Sequence, residues 1–257
     1  MIDQNSKFIS FIEFRLEDHN ELYGRFHLGK FVEGQALTVA NALRRTLLSE
    51  IPGFVITSVQ IEGVNHEFAT LPGINESVLN ILLNLKRMAI TARKSQFLIS
   101  SSVEFRASLA VSGPGQVTAA AINFPALLAP VSLDHYITTL SSTAELKLRL
   151  NIALLDPVEL RKVQKVQANI SDETLKKTVK KSVNQLFLDT IPKPVRQVNY
   201  SIHEVNTNST EEYISIEIWT DGSIQPKEAL TCALEKLTRV FYEFTILQKS
   251  SVTLLGS

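Results

Sequence analysis

The pair His66-Glu67 is the clearest candidate for chemistry in this chain, because it begins like the zinc-protease motif HExxH. That motif requires a second histidine one helical turn later, so that two imidazoles on one face of a helix bind the same ion. Thr70 occupies that position here. The remaining histidines are scattered without ligand spacing, at His19, His27, His135 and His203. The sequence therefore predicts no metal site.

Other catalytic patterns are also incomplete. Cys232 is the only cysteine, so no internal disulfide is possible, and no histidine lies near it in sequence to activate a thiolate. The segment Gly113-Pro114-Gly115 lacks the helix start of a dinucleotide loop, and its proline removes a backbone donor, which favours a tight turn. Neither a phosphate-binding P-loop nor a G-x-S-x-G nucleophile elbow is present. We therefore predict no catalytic residue.

The segment 34–53 places polar and charged side chains on a largely apolar helix. Leucine, valine and alanine recur there at three- and four-residue spacing, which is the period of an amphipathic helix. Pro52 cannot continue the helix and therefore predicts its end. Asn41, Arg44 and Leu48 fall on one side of the helix axis.

The adjacent residues Arg44 and Arg45 have two possible interpretations. Charged helix positions are usually solvated, with the aliphatic stem covering the edge of the core. Alternatively, the two arginines lie at a protein interface, where a planar guanidinium binds carboxylates or carbonyls through several donors. A helix this apolar must be largely buried, which suits contact with another protein better than catalysis.

The composition limits the class of protein. The chain has 257 residues, enough for one large domain or two smaller ones. Its 26 basic and 26 acidic side chains cancel, which argues against a dedicated nucleic-acid binder. No apolar run approaches the roughly 20 residues that span a bilayer. The start lacks the layout of a signal or transit peptide, so we expect a soluble protein that works where it is made.

Hydrophobic periodicity predicts both strands and helices. Strands are predicted at residues 8–16, 23–31, 54–64, 195–205 and 213–220. In the first strand, Ile12, Phe14 and Leu16 are expected on one face. Helices are predicted at 75–88 and from Pro226 onward, since proline favours the first turn. Between residues 96 and 155, short apolar runs broken by turn residues predict β-rich structure.

Two segments remain ambiguous on their pattern alone. Residues 159–181 carry seven basic side chains against three acidic ones, which is typical of an exposed helical excursion or a mobile loop. The last helix carries an apolar stripe that is typical of either a coiled-coil seam or an ordinary core helix. The stripe consists of Leu230, Leu234, Leu237, Phe241 and Phe244.

Several segments together resemble one protein family. GQALTVANALRRTLLSEIPG at 34–53 is similar to the first helix of the amino-terminal domain in α subunits of bacterial and plastid RNA polymerase, with Ala40 where that family usually has glycine. Further similar segments follow in the family's order. They are YGRF at 23–26, VITSVQIEGVNHEFATLPG at 55–73, ILLNLK at 81–86, SGPGQVTAAAI at 112–122, PVRQVNYSIHEV at 194–205 and TDGSIQPKEAL at 220–230.

The resemblance implies an α+β fold in two parts. A discontinuous dimerisation subdomain, formed by an antiparallel sheet and two long helices, is expected at residues 1–52 and 186–249. A mostly-β subdomain that contacts the large subunits is expected as an insertion at 53–185, and it includes the divergent basic insert 159–181. Residues 250–257 are expected to form a short tail. Members of the family form homodimers through their first and last helices, which favours the seam interpretation of the apolar stripe.

The resemblance also implies a non-catalytic role within an enzyme complex. In this family two α copies form a platform on which the β and β′ subunits assemble, while nucleotidyl transfer and its magnesium belong to the large subunits. This chain is then expected to hold no cofactor and to reach DNA only through the complex. The implied β-subunit interface consists of Asn41, Arg44, Arg45, Leu48, His66, Glu67, Thr70 and Gly73. The implied dimer interface consists of Leu43, Leu47, Leu230, Leu234, Leu237, Phe241 and Phe244.

Two departures from the family favour a plastid-encoded member. The basic stretch 159–181 stands where the family has a glycine-rich segment, and the chain ends soon after the last helix, without the usual linker and small helical DNA-binding domain. We therefore expect the plastid stroma, with the bacterial cytoplasm as the alternative. Two rival functions are a DNA-binding module that acts through 159–181 and a small hydrolase of unrecognised type.

Overall fold

The chain folds as two compact units. The first consists of Met1–Ile51 and Lys193–Ser257, and the second of Pro52–Pro192, so both chain ends belong to one unit and the other is inserted in it. The computed structural model describes residues 7–17, 20–93, 103–141, 144–161, 185–205 and 211–254, with side chains described up to residue 246.

The described residues confirm the mixed α+β fold and the predicted strands and helices. The strands are β1 (Phe8–Leu16), β2 (Leu22–Val32), β3 (Gly53–Ile61), β4 (Ile90–Ala92), β5 (Glu104–Ser112), β6 (Gly115–Thr118), β7 (Leu128–Pro130), β8 (Tyr136–Leu140), β9 (Glu145–Leu155), β10 (Leu186–Phe187), β11 (Val195–Glu204) and β12 (Glu211–Thr220). The long helices are α1 (Gln35–Ser49), α2 (Val78–Arg87) and α3 (Pro226–Leu254). A single 3₁₀ turn, Ala119–Ala121, follows β6 in this part of the chain.

The first unit is built on a four-stranded antiparallel sheet in the order β1-β2-β12-β11. Its central pair joins strands from the two ends of the chain, with Leu22 of β2 opposite Thr220 of β12. Ile214, Ile216 and Ile218 have no accessible surface, as their alternation predicts, and belong to a core shared with α1 and α3. An antiparallel sheet with one apolar face must bury it, and these two helices cover it.

Helix α1 is amphipathic and lies against β11 and α3. It begins after Gly34, whose φ of 81° is a left-handed conformation that glycine adopts without steric cost. It ends at Ser49, three residues before the helix-breaking Pro52, and the Glu50 N–H still donates to the Thr46 carbonyl at 2.9 Å. Its buried side chains are those of Ala36, Ala40, Leu43, Thr46 and Leu47.

The start of α3 is held close to the sheet. A Cβ on Gly24 of β2 would lie 2.7 Å from the Pro226 Cβ, so a side chain at this position would push the helix away. The turn that joins β12 to α3 is closed by Asp221, whose carboxylate accepts the Ser223 N–H at 3.0 Å. The predicted turn at Asp221-Gly222 is therefore confirmed.

The second unit is mostly β structure. A six-stranded sheet has the order β5-β9-β3-β4-β7, with β10 also paired to β3, and β6 and β8 form a separate pair. Helix α2 begins at a cap in which the Ser77 hydroxyl accepts the Asn80 N–H at 3.2 Å. The predicted stripe of α2 is buried in the core of this unit and consists of Val78, Ile81, Leu82 and Leu85.

Two expected boundaries differ from the structure. The second part of the first unit begins at Lys193 and not at residue 186, because β10 pairs with β3 and thereby belongs to the inserted unit. Residues 250–254 continue α3 and are not part of a separate tail. Most of the basic insert predicted at 159–181 lies outside the described residues, which stop at Arg161 and resume at Gln185.

Replacing Leu47 by alanine tests which face of α1 supports the first unit. Leu47 is 1% exposed, so Leu47→Ala leaves a cavity and we expect a loss of about 2–5 kcal/mol in the free energy of unfolding. The matched control Leu48→Ala, at a position 39% exposed, should cost about 0.5 kcal/mol. Urea unfolding followed by the fluorescence of Trp219, the only tryptophan, reports on this unit. Equal losses for the two variants would contradict the assignment.

Candidate subunit interfaces

The outward side of α1 presents the first group of residues expected at the β subunit. All of them are exposed: Asn41, Arg44, Arg45 and Leu48. Two of these side chains are held by the neighbouring edge strand β11. The Tyr200 hydroxyl donates a hydrogen bond to Asn41 Oδ1 at 2.8 Å, and Arg44 Nε donates to the Val198 carbonyl at 3.2 Å. Together they form a polar seam between α1 and β11.

Arg45 differs from Arg44 in its bonding. Within the described part of the chain, its guanidinium has no hydrogen-bond or ion-pair partner. Its backbone carbonyl accepts a hydrogen bond from the Ser49 hydroxyl at 2.7 Å. The guanidinium therefore keeps its five N–H donors for solvent or for another protein. Arg44 fits the interpretation of a charged group at the edge of its own unit, whereas Arg45 is available to a partner.

The segment between β3 and α2 presents the second group. Its expected interface residues are all exposed: His66, Glu67, Thr70 and Gly73. Gly73 has a φ of 76°, and a Cβ there would lie 2.7 Å from Ser141 Oγ, so this turn requires glycine. Phe68 was missed by the sequence prediction, although it is 74% exposed. The available signal was a large aromatic side chain within a polar, turn-rich stretch.

Glu76 anchors the end of this segment to β8. Its carboxylate accepts hydrogen bonds from the Thr138 hydroxyl at 2.6 Å, from the Thr139 N–H at 2.9 Å and from the Tyr136 hydroxyl. Burial alone raises the pKa of Glu76, but these donors outweigh it, and the pKa lies below its ordinary value of 4.5. Burial and the bond to this carboxylate raise the pKa of Tyr136. The ionised form of Glu76 therefore holds the segment in place.

The apolar stripe on α3 divides into a buried and an exposed half. Leu230 is 3% exposed, and Leu234 and Leu237 pack against the same core. Phe241 and Phe244, by contrast, are 67% and 66% exposed. The core interpretation therefore applies to the first half of the stripe, and for the exposed half the seam interpretation stays a prediction.

Three residues assigned to the dimer interface are buried in the single chain. Leu43, Leu47 and Leu230 are 0%, 1% and 3% exposed. These side chains stabilise the first unit and offer little accessible surface to a partner, and their assignment to the dimer interface stays a prediction. The periodicity of a helix shows which face is apolar, but core and interface both require such a face.

Strand β1 is an additional apolar surface that sequence reasoning did not assign to an interface. Its large side chains are between 38% and 67% exposed: Phe8, Ile9, Phe11, Ile12, Phe14 and Leu16. A register shift between Phe11 and Glu13 interrupts the expected alternation at Ile12, so apolar groups lie on both faces. Because β1 is also an edge strand, this surface is suited to association.

The described residues were also compared with the requirements of a metal site and of a membrane-spanning helix. In the described ranges, no group of three or more histidine, cysteine, aspartate or glutamate side chains is arranged to hold a metal ion. Among the described helices, none is both long enough and apolar enough to cross a membrane.

Comparison with known proteins identifies the family. Residues 30–241 match the family described as the RNA polymerase Rpb3/Rpb11 dimerisation domain, a range that includes α1, the inserted unit and the first half of α3. The chain is 40% identical to the DNA-directed RNA polymerase subunit alpha of Chlorella vulgaris, over 98% of this chain and 100% of that protein. It belongs to the RNA polymerase α-subunit family.

Other α subunits support the same assignment. The subunit of Synechococcus elongatus is 38% identical over 90% of this chain, which spans 69% of that protein. The subunit of Cyanidium caldarium is 35% identical over 94% of the chain and 72% of its own length. The chain is thus an α subunit of DNA-directed RNA polymerase with a dimerisation domain, and no comparison supports the alternative of a DNA-binding module acting through 159–181.

Replacing Glu76 by glutamine tests the anchor of the exposed segment in this α subunit. Because folding lowers the pKa of Glu76, its ionised form stabilises the fold above pH 4.5, and this contribution is lost as the pH falls through the folded-state pKa. We expect Glu76→Gln to lower the unfolding free energy at neutral pH and to flatten its decrease in acid. Urea titrations followed by circular dichroism measure both effects. Glu67→Gln is the control, and identical acid slopes for wild type and Glu76→Gln would contradict the prediction.

Proposed function

We propose that this α subunit forms a homodimer and that the homodimer is the platform on which the β and β′ subunits assemble. The observation that carries the proposal is the large exposed apolar surface of the first unit, in a chain that matches a dimerisation domain over most of its length. Soluble monomers rarely expose contiguous apolar surface of this kind, so it calls for a protein partner.

The exposed half of α3 supports self-association most directly. The described side chains beyond Leu237 are exposed on every side of the helix, and five of them are large and apolar. They are Val240, Phe241, Tyr242, Phe244 and Ile246. Large exposed apolar side chains of this kind favour association, and pairing with a second copy would bury them along the continuation of the α3 stripe.

Two other surfaces, one on each unit, are proposed for the β subunit. Arg45 supplies an unpaired cation beside the exposed Leu48 on α1, and Phe68 supplies an aromatic side chain in the exposed segment between β3 and α2. Arginine and aromatic side chains are the types most enriched among residues that dominate binding energy at interfaces. In this proposal Arg44 and Asn41 set the position of the surface through their bonds to β11.

We further propose that this subunit contributes no catalytic residue and holds no cofactor of its own. Nucleotidyl transfer and its magnesium would then belong to the large subunits, and the α subunit would meet DNA only through the assembled polymerase. The organisms of the matching subunits include the algae Chlorella vulgaris and Cyanidium caldarium, which supports a site of action in the plastid stroma.

Replacing Arg45 by alanine tests the proposed β-subunit surface. Arg45→Ala removes the unpaired guanidinium without disturbing a bond inside the chain, so we expect the homodimer to persist while capture of the β subunit weakens about thirtyfold or more. Sedimentation measures the dimer, and pull-down with purified β subunit measures capture. The control is Lys227→Ala, which removes an exposed cation near the start of α3. Unchanged capture, or a monomeric Arg45→Ala protein, would overturn this role for Arg45.

Replacing Phe241 and Phe244 together tests the dimer surface. The double variant Phe241→Ala/Phe244→Ala removes two exposed aromatic side chains, so the single chain keeps its fold, while we expect the dimer to dissociate at least about tenfold more readily. Sedimentation at several concentrations gives the dissociation constant, and Trp219 fluorescence monitors the fold. The control Thr245→Ala removes a hydroxyl that bonds only to the Phe241 carbonyl of its own helix. A dimer of unchanged strength would rule out this surface.

A further inference from the structure

The solvent-facing side of the sheet in the second unit carries an unexplained basic groove. The register places Ser108 of β5 and Gln60 of β3 on either side of Arg149 in the central strand β9. Arg106 lies two residues from Ser108 on β5, on the same face and diagonally next to Arg149. These residues line a shallow cavity of about 450 Å³. We call it the arginine groove, defined by Gln60, Arg106, Ser108 and Arg149.

The two arginines of the groove are both exposed and uncompensated. Neither guanidinium has a hydrogen-bond or ion-pair partner among the described residues. Lys147, the next outward-facing residue of β9, is different, because Glu145 and Glu62 lie 2.9 and 3.8 Å from its Nζ atom. The charge that remains available on this face is therefore that of Arg106 and Arg149.

Some polar groups around the arginines are hydrogen-bonded within the protein, and others are available to a ligand. At one end of the groove, Asn151 Nδ2 and Gln185 Nε2 both donate to Ser58 Oγ, at 3.0 and 2.6 Å, which closes that end with a bonded network. The side chains of Gln60 and Ser108 point into solvent and have no partner of their own among the described residues. Each of these two side chains offers both a donor and an acceptor.

We propose that the arginine groove binds a short acidic segment of a partner protein. Carboxylates of the segment pair with Arg106 and Arg149, whose planar guanidinium groups bind a carboxylate through two parallel hydrogen bonds. Gln60 and Ser108 bond the peptide groups of the same segment, which carry donors as well as acceptors. The site lies on strands of a hydrogen-bonded sheet, so the two arginines are held at a fixed spacing.

The surroundings of the groove favour a protein segment over a nucleic acid. Exposed carboxylates stand at both ends, Glu62 and Glu145 beside Lys147 and Glu104 beyond Arg106, and would repel a phosphate chain that continues past the arginines. The chain as a whole has a formal net charge of zero and provides no long-range attraction for a polyanion. The residues that line the groove include no aromatic side chain on which a base would stack.

The proposal is independent of the surfaces assigned to dimerisation and to the β subunit. None of the groove residues belongs to α1, to α3 or to the segment 66–73. The groove therefore shares no residue with those surfaces. Failure of the proposal would leave the roles of Arg45 and Phe241 unaffected.

Binding of a defined peptide to the purified α subunit tests the groove. The probes are acetyl-Gly-Asp-Glu-Asp-Gly-amide, its uncharged Asn-Gln-Asn counterpart, inorganic phosphate and an oligothymidylate. NMR signals of the arginine Nε–H groups report contact at each guanidinium, and titration gives the dissociation constant. We expect the acidic peptide alone to shift the signals of Arg106 and Arg149. Arg149→Gln and Arg106→Gln should each weaken binding about tenfold, the loss that follows removal of one charge-assisted hydrogen bond.

Matched controls separate the groove from general charge effects. Lys147→Gln removes a cation that already has carboxylate partners and should leave the peptide affinity nearly unchanged. Equal binding of the uncharged peptide, no shift of either arginine signal, or undiminished binding by Arg149→Gln would overturn the proposal. Tighter binding of the oligothymidylate than of the peptide, lost in Arg149→Gln, would assign the groove to nucleic acid instead. Binding of phosphate with equal strength would reduce it to a site for small anions.

Discussion

The pairing of β2 with β12 is the constraint on which the organisation of this subunit depends. These strands come from opposite ends of the chain, and their ladder runs from Leu22 and Thr220 to Val32 and Glu211. The pairing therefore brings the two ends of the chain into one unit. Residues 52–192 lie between these ends in sequence and fold as a separately packed insertion. The apolar face of the central pair, with Ile214, Ile216 and Ile218 fully buried, then requires a cover, and α1 and α3 provide it.

The same packing determines which groups remain for other proteins. Helix α1 uses Leu43 and Leu47 for the core, so its opposite side presents Arg45 and Leu48. The described side chains of α3 beyond Leu237 lie outside the core of the first unit and are exposed. In the second unit, the bonds of Glu76 to β8 help to hold the exposed segment between β3 and α2. The candidate interfaces are thus the exposed faces of elements whose other faces are buried or bonded within their own unit.

Much of the fold follows from local patterns. The alternation around Ile216, the break at Pro52 and the stripe of α2 each reflect the geometry of one element, so they can be recognised without knowing the neighbours. The candidate interface residues came from resemblance to the family, and eight of them on α1 and in the segment after β3 are exposed. For Leu43, Leu47 and Leu230 the pattern identifies an apolar face, but the protein surface that covers it lies far away in sequence.

The sequence by itself determined the types of element, their order and the family to which this α subunit belongs, because periodicity and motif spacing are properties of neighbouring residues. Only the tertiary structure decided where the buried half of the α3 stripe ends, that β1 is apolar on both faces, and that Arg106 and Arg149 lie side by side. These features depend on strand register and on helix length relative to the sheet. The physical reason is that burial and charge compensation are set by long-range contacts, so the same apolar or basic residue is satisfied in one place and free for a partner in another.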